Sequence, residues 1–466
     1  MKGKRSARRA RRQHPSLLER INPDVAGIDC GSREHYVAVP AERDPEPVQH
    51  FGSDTAELIR LAEWLRACGV KSVAMEATGV YWIPLYEILE ERGLTVLLVN
   101  ARHVKNVPGR KTDVQDCEWL RELHSVGLLR GSFRPADQIV ALRGYMRHRD
   151  VLVEEMSTLV QRMQKALLQM NLQLTVVLTD ITGVTGMKIL RDIVAGHTDP
   201  EQLARHRHAR CHATAAEILA ALTGNYRPEH VFVLQQNLEL YDVYQQKLED
   251  CDRAIEQHLQ KLVQRLPTPT APLPPARKRL RRQGHEPNFD VRRYLYHLTG
   301  GVDLTQMHAV GPYTALRLIS ETGTDMSRWR SADAFASWLS LAPDNKITGG
   351  RLISSHTPLS ANRAATMLRL VALGLAKTQT ALGAFYRRLA AHIDKPKAIT
   401  ATARKAAILI YRMLKGELIY QDPGPDAYNA QQHQRLLRRL RQRAQHMGYA
   451  LINVTSGELL ADVVVS

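Results

Sequence analysis

The chain runs through two hydrophobic rhythms in turn. From about residue 23, short apolar runs such as "VAGIDCG" and "EHYVAVPA" are joined by the polar turn Gly31-Ser32-Arg33 and predict two strands. In "DTAELIRLAEWLRACG" the spacing is helical instead: Leu58, Leu61, Ala62 and Leu65 share one face. Asp54 with Glu57 resembles a capping box at its start, and Gly69 supplies the stop. "KSVAMEA" predicts a buried strand, "IPLYEILEERG" a helix, "LTVLLVN" another strand, and "KTDVQDCEWLRELH" a further helix. Strands first, then alternating β and α, predict an α/β domain over residues 23–130.

Beyond residue 137 the rhythm lengthens. Leu142, Tyr145, Leu152, Met156, Leu159, Met163, Ala166 and Met170 follow a 3,4 spacing interrupted only by Arg149. A second stripe runs through Leu234, Leu238, Tyr241, Leu248, Ile255, Leu259 and Leu262, with Gln245 and Asp252 at its polar positions. Two long helices with such stripes must pair with each other or with another subunit; an ordinary helical bundle would show the same pattern. Between them lies a basic, histidine-rich patch, "ARHRHARCHA", which lacks the carboxylate or paired cysteine that a metal site calls for. "LPTPTAPLPPARKRLRRQGHEP" is proline-rich, then basic: a stiff linker followed by a phosphate-binding tract, marking a boundary over 265–290. In "MHAVGPYTALRLISETG" an apolar-Gly-Pro turn leads into an apolar helix, as in a helix–hairpin–helix, with Gly311 where backbone amides face a phosphate. A weak echo occurs at "ITGVTGMKILRDIVAG": aligned on Val184 and Val310, Leu190 matches Leu316 and Arg191 matches Arg317. An Arg-rich helix, "QRLLRRLRQRAQHMG", and a tail follow.

Charge narrows the partners. A net charge of +17 over 466 residues points to a polyanion, nucleic acid before an anionic membrane. No apolar run is long enough to span a bilayer, and the N-terminal "MKGKRSARRARRQHP" has no apolar stretch after it. It reads as a disordered basic arm in which Arg8 and Arg9 would contact phosphates. The five cysteines are scattered, without a metal-ligand spacing, which fits a reducing cytoplasm.

Four carboxylates carry the candidate chemistry. Asp29 ends the first strand and Glu76 ends a central one, and strand ends are where ligands gather in α/β sheets. Asp113 and Asp116 lie three apart at the start of the next helix, where taken alone they read as first-turn caps. If the two strands are near neighbours and that helix crosses their edge, four acids converge and need a cation. Hard divalent ions take such ligands, and a two-metal arrangement needs about this many acids.

"GIDCG", "AMEATGVYW", "NARHVKNVPGRKTDVQDCEWLRELHSVGLL" and "WLSLAPDNKITGGRL" together resemble the DEDD transposases of insertion-sequence family one-ten. The resemblance covers residues 23–420. It implies a RuvC-like, RNase H-type mixed sheet with helices over 23–136, with Asp29, Glu76, Asp113 and Asp116 as the quartet binding two Mg²⁺ ions. It also implies a mainly α transposase domain over 291–420, while the residues themselves read as long coiled-coil helices with an insert over 137–264, a linker over 265–290, and an Arg-rich helix and tail over 421–466. The C-terminal domain of such proteins carries a serine nucleophile. Where the family has that serine, five residues after Pro343, this chain has Thr348, followed by Gly349 and Gly350. Ser354 and Ser355 are substitutes a few residues on, and "ITGG" also reads as a plain turn.

The resemblance implies a recombinase that cuts and joins strands to mobilise its own element, guided by an element-encoded structured RNA. The partners expected are double-stranded DNA at element ends and target, the guide RNA, and further copies in a homodimer or tetramer, in the bacterial cytoplasm at the nucleoid. Arg277, Lys278, Arg279, Arg281 and Arg282 of the linker, with Gly311, Gly349 and Gly350, are candidate nucleic-acid contacts. Two alternatives stand beside this: a Mg²⁺-dependent junction nuclease with no covalent intermediate, and a non-catalytic nucleic-acid-binding relic.

Overall fold

The computed structural model describes residues 20–77, 79–100, 113–277, 284–358, 362–455 and 457, with 113–115 by backbone alone. Arg8, Arg9, Lys278, Arg279, Arg281 and Arg282 lie outside the described residues, as does the side chain of Asp113. The chain divides into two compact units, Met1–Arg134 and Pro135–Ser466.

The first unit is built on a five-stranded mixed sheet in the order β3-β2-β1-β4-β5. β1 (Val25–Cys30), β4 (Ser72–Glu76) and β5 (Thr95–Val99) are parallel, while β2 (Glu34–Ala38) and β3 (Val48–Gly52) extend it antiparallel. This is the RNase H-type arrangement expected. The edge strand β3 escapes the hydrophobic pattern because only Phe51 of "VQHFG" is buried. Helix α1 (Thr55–Ala67) buries Leu58, Leu61, Ala62 and Leu65, the face read from its spacing. Each leucine so buried contributes about 1.5–3 kcal/mol. Asp54 caps α1 by accepting from Glu57 N at 3.1 Å, but Glu57 reaches back to Gly52 N instead of closing a capping box. With α2 (Trp82–Glu91), α1 covers one face of the sheet through Ile28, Val37, Val73, Met75, Leu85 and Leu89. Helix α3 (Asp113–Ser125) packs on β1.

In the second unit α4 (Asp137–Gln169) and α9 (Pro228–Val263) pair with each other. They run antiparallel: the His258 ring meets Gln138 O at 2.8 Å, and Cys251 Sγ donates to Tyr145 O at 3.6 Å. Most of the two apolar stripes is buried between them, with one correction: Tyr145 is 41 % exposed and Met146 takes its place in the seam. One step on, Arg149 is fully buried and reaches Asp252 at 2.6 and 3.3 Å. Arg149, which interrupts the first stripe, is thus the partner of Asp252, one of the two polar positions of the second. Arg149 also donates to Tyr313 Oη at 2.8 Å and to the His285 carbonyl, so no N–H fork of the buried cation goes unused.

Between the long helices sit α5 (Leu174–Val177), α6 (Val184–Val194), α7 (Pro200–Ala204) and α8 (Ala215–Leu222). The proline-rich stretch is strapped to α10 (Val291–Leu298): Tyr296 Oη donates to Ala271 O at 2.9 Å and Arg292 Nη2 to Pro274 O at 2.6 Å. Its carbonyls, which proline-rich backbone leaves unpaired, find their donors there. Then come α11 (Pro312–Thr322), α12 (Ala332–Trp338), the hairpin β6 (Asp344–Thr348) and β7 (Arg351–His356), and the bundle α13 (Arg363–Ala376), α14 (Ala381–Ala390) and α15 (Lys395–Leu414). The Arg-rich segment belongs to α16 (Gly424–His446). The two echoed segments share an architecture: α6 and α11 each follow a glycine cap, and the aligned arginines each bind an aspartate on a long helix. Arg191 meets Asp242 at 3.0 Å, and Arg317 meets Asp150 at 2.9 Å.

Candidate functional site

Parallel pairing of β1 with β4 sets Ile28 opposite Met75, so the next residues, Asp29 and Glu76, emerge side by side at the carboxyl ends of adjacent strands. Glu76 is buried at 5 % exposure and Asp29 is half-buried. The direction of α3 follows from contacts at its other end. His124 meets Ser72 Oγ at 2.9 Å, and the Ser125 carbonyl accepts from Asn22 N, so the helix ends where β4 starts and just ahead of β1. Its first turn, with Asp113 and Asp116, therefore runs toward the strand ends that carry Asp29 and Glu76.

Gly27 makes this possible. A Cβ built there would stand 2.2 Å from Cys117 O and 2.4 Å from Arg121 N, so backbone lies directly on backbone. A glycine inside a strand was the sequence signal for this crossing, and the hydrophobic pattern did not use it. Electrostatics report the same proximity. Burial pushes the Cys117 thiol up to about 12, helped by the negative charges of Glu118 and Asp29. Burial, Asp29 and Glu76 raise the Cys30 thiol as well. Both thiols stay protonated, leaving oxygen as the donor at this end of the sheet, a set that suits a hard divalent cation. Among the described residues, no three His, Cys, Asp or Glu side chains are gathered closely enough to hold a metal as they stand.

Thr348 is the last residue of β6 and pairs with Arg351 across a two-residue turn. Gly349 and Gly350 make that turn with φ of +55° and +73°, the left-handed pair that a type I′ hairpin requires. The sequence expectation of a turn holds, and the turn closes a hairpin. Ser355 faces Asn345, and the half-buried Ser354 faces Lys346, both further from the tip. Ile347, Leu352 and Ile353 on this two-stranded hairpin are 63 %, 58 % and 68 % exposed. Gly311 caps α11 with extended backbone and no side-chain cap, and Arg277 is exposed. Sequence reasoning missed the Arg149–Asp252 pair, although both residues stood out as breaks in their stripes.

The RNase H-type sheet and the mainly helical region that follows it in the chain fit one class of DNA-processing enzymes, the DEDD transposases. Two family profiles agree: one described as "Transposase", of the DEDD type of IS110, matches residues 26–172, and one described as "Transposase IS116/IS110/IS902 family" matches residues 303–387. The chain belongs to the IS110 family of transposases. No curated protein gives a significant match. All four acids fall in the first matched segment, and Gly311 and Thr348 to Gly350 in the second. Membership implies DNA as substrate and a DNA-cutting recombinase activity, in a family that uses divalent metals. Among the described residues no helix is long and apolar enough to cross a membrane.

Proposed function

We propose that this chain mobilises its own insertion sequence by cutting and joining DNA through Asp29, Glu76, Asp113 and Asp116 on one unit and the Thr348 hydroxyl on the other. The observation that carries the reading is the shared exit of Asp29 and Glu76 at neighbouring strand ends, with α3 aimed at the same end. When bound, two Mg²⁺ ions would supply Lewis-acid stabilisation of the charge building on the phosphate. The four carboxylates hold and orient that charge centre. Thr348 Oγ1 attacks phosphorus as its proton leaves to solvent, the P–O3′ bond breaks, and the departing 3′-oxygen takes up a proton from solvent to become a free hydroxyl. The 3′-hydroxyl of another strand then attacks the same phosphorus and returns Thr348 to its free form. One phosphodiester is exchanged for another, so no energy source is needed.

The apolar, exposed hairpin supports placing Thr348 against the acidic site of another copy in a dimer or tetramer, because an isolated two-stranded hairpin is marginal in water. Guidance by an element-encoded RNA is supported by the family resemblance and by the +17 charge.

The test uses element-end DNA carrying a nick that traps covalent intermediates. The wild type should yield a threonine-linked DNA adduct, Thr348→Ala none, and Thr348→Ser as much or more, since only the crowding methyl is lost. Asp29→Ala should abolish cleavage while nucleic-acid binding persists. Metal-dependent nicking without any adduct would replace this reading by the junction nuclease. Recombination by Thr348→Ala would move the nucleophile to Ser354 or Ser355.

A further inference from the structure

The histidine-rich loop lies within residues 173–302, between the two matched segments. The loop, "RHRHARCH" over 205–212, interleaves three arginines with three histidines and contains no acid. Some of these groups build the loop. Arg207 staples it by donating to Ala213 O at 2.6 Å and Cys211 O at 2.9 Å. His206 meets Asp192 at 2.5 Å, and the His208 backbone N–H donates to Thr185 Oγ1 at 3.0 Å. The side chains of Arg205, His208, Arg210 and His212 remain exposed on this fixed frame.

Three nearby acids already hold partners. Asp192 holds His206, Asp199 caps α7, and Glu217 accepts from Thr214 N at 2.7 Å in a capping box. An open cleft of about 470 Å³ adjoins the loop, lined by Thr175, Val176, Thr179, His212, Ala213 and Glu217. Val176 stands 76 % exposed on its wall.

We propose that this loop and cleft bind an unpaired nucleic-acid strand, with Arg205 and Arg210 on successive phosphates and a base lodged in the cleft against His212. Guanidinium groups suit phosphate oxygens, and imidazole faces stack on bases that are free to splay out. A duplex keeps its bases inside and would leave the cleft unused. The inference rests on the nucleic-acid reading above but concerns a surface outside the acidic site and the hairpin.

The experiment measures fluorescence anisotropy of the full chain with an unstructured labelled RNA strand, the DNA strand of the same sequence, and the corresponding duplex, across a salt series. Arg205→Gln with Arg210→Gln should weaken single-strand binding about tenfold, and the log K against log salt slope should fall by about 1.4, or ~0.7 per lost phosphate. His212→Ala should weaken it about fivefold with the slope unchanged, as expected for lost stacking. Duplex affinity should stay within about twofold, and thermal unfolding of both variants should match the wild type. Weakening on either single strand supports the site, and a preference between RNA and DNA identifies the source. Unchanged single-strand affinity, or equal weakening on the duplex, overturns it while leaving the transposase reading intact if element-end cleavage persists. A wild-type chain that binds no nucleic acid overturns both.

Discussion

Replacing Gly27 by alanine tests the link between the sheet and the candidate metal centre. Real Cβ atoms essentially never come within 3.0 Å of a non-bonded atom, yet this one would lie 2.2 Å from Cys117 O and 2.4 Å from Arg121 N. Both obstacles are backbone of α3, which cannot rotate aside, so the helix must retreat from β1 by at least about 0.8 Å. Overpacking of this kind costs about 1–3 kcal/mol, or roughly 3–10 °C in the melting of this unit. The same retreat carries Asp113 and Asp116 away from Asp29 and Glu76. A misplacement of about 1 Å at a reacting centre costs on the order of 10²-fold in rate. Gly27→Ala should therefore lose about two decades of metal-dependent cleavage while still binding DNA. Gly144→Ala is the control, because nothing stands within 4 Å of its Cβ and it lies inside a helix; it should be neutral or stabilise by about 0.5–1 kcal/mol. Cleavage at the wild-type rate by folded Gly27→Ala would refute the claim that the crossing positions the acids.

Three further outcomes follow from burial. Arg149→Met and Asp252→Leu should each destabilise the chain by about 3–5 kcal/mol in urea unfolding, because each strands the other's charge, and the double variant should recover most of that loss; a double variant as unstable as the two losses summed would show that the charges are not each other's partners. Thiol labelling at pH 8 followed by mass spectrometry should mark the half-buried Cys211 first and spare Cys30, Cys68, Cys117 and Cys251 until the chain unfolds. Folded Cys117 keeps its proton up to about 12 while an unfolded thiol releases it near pH ~8.5, so its contribution to stability is complete below that and declines as pH rises above it.

What could be read in advance followed from periodicity. The 3.6-residue rhythm of Leu58 to Leu65 and the paired stripes of α4 and α9 mark buried faces directly, because burial is the force that selects those residues. The strand β3 could not be read that way, since it is held by its edge pairing and buries a single phenylalanine. Tyr145 was misplaced in the seam because spacing alone does not separate it from the adjacent Met146, which is the one buried. The acids could be ordered from their places at element ends. Their approach, however, depends on Gly27, where the information is a missing side chain. Thr348 stood out only against the family's serine, and its exposure on a hairpin tip is a tertiary fact.

The insert between the long helices leaves and returns at one point. Asn225 N donates to Met170 O at 3.1 Å, and Gln173 N to Ala221 O at 2.8 Å, while Gly224 lies so close to Met170 O that a Cβ there would stand 2.3 Å away. A segment whose two ends touch can be acquired or discarded in evolution without changing the register of its host, much as a side road joins and leaves a highway at a single junction. The α4–α9 pair would need only a tight turn in its place. Insertions or deletions within it would therefore change this part of the unit without shifting how α4 and α9 pair.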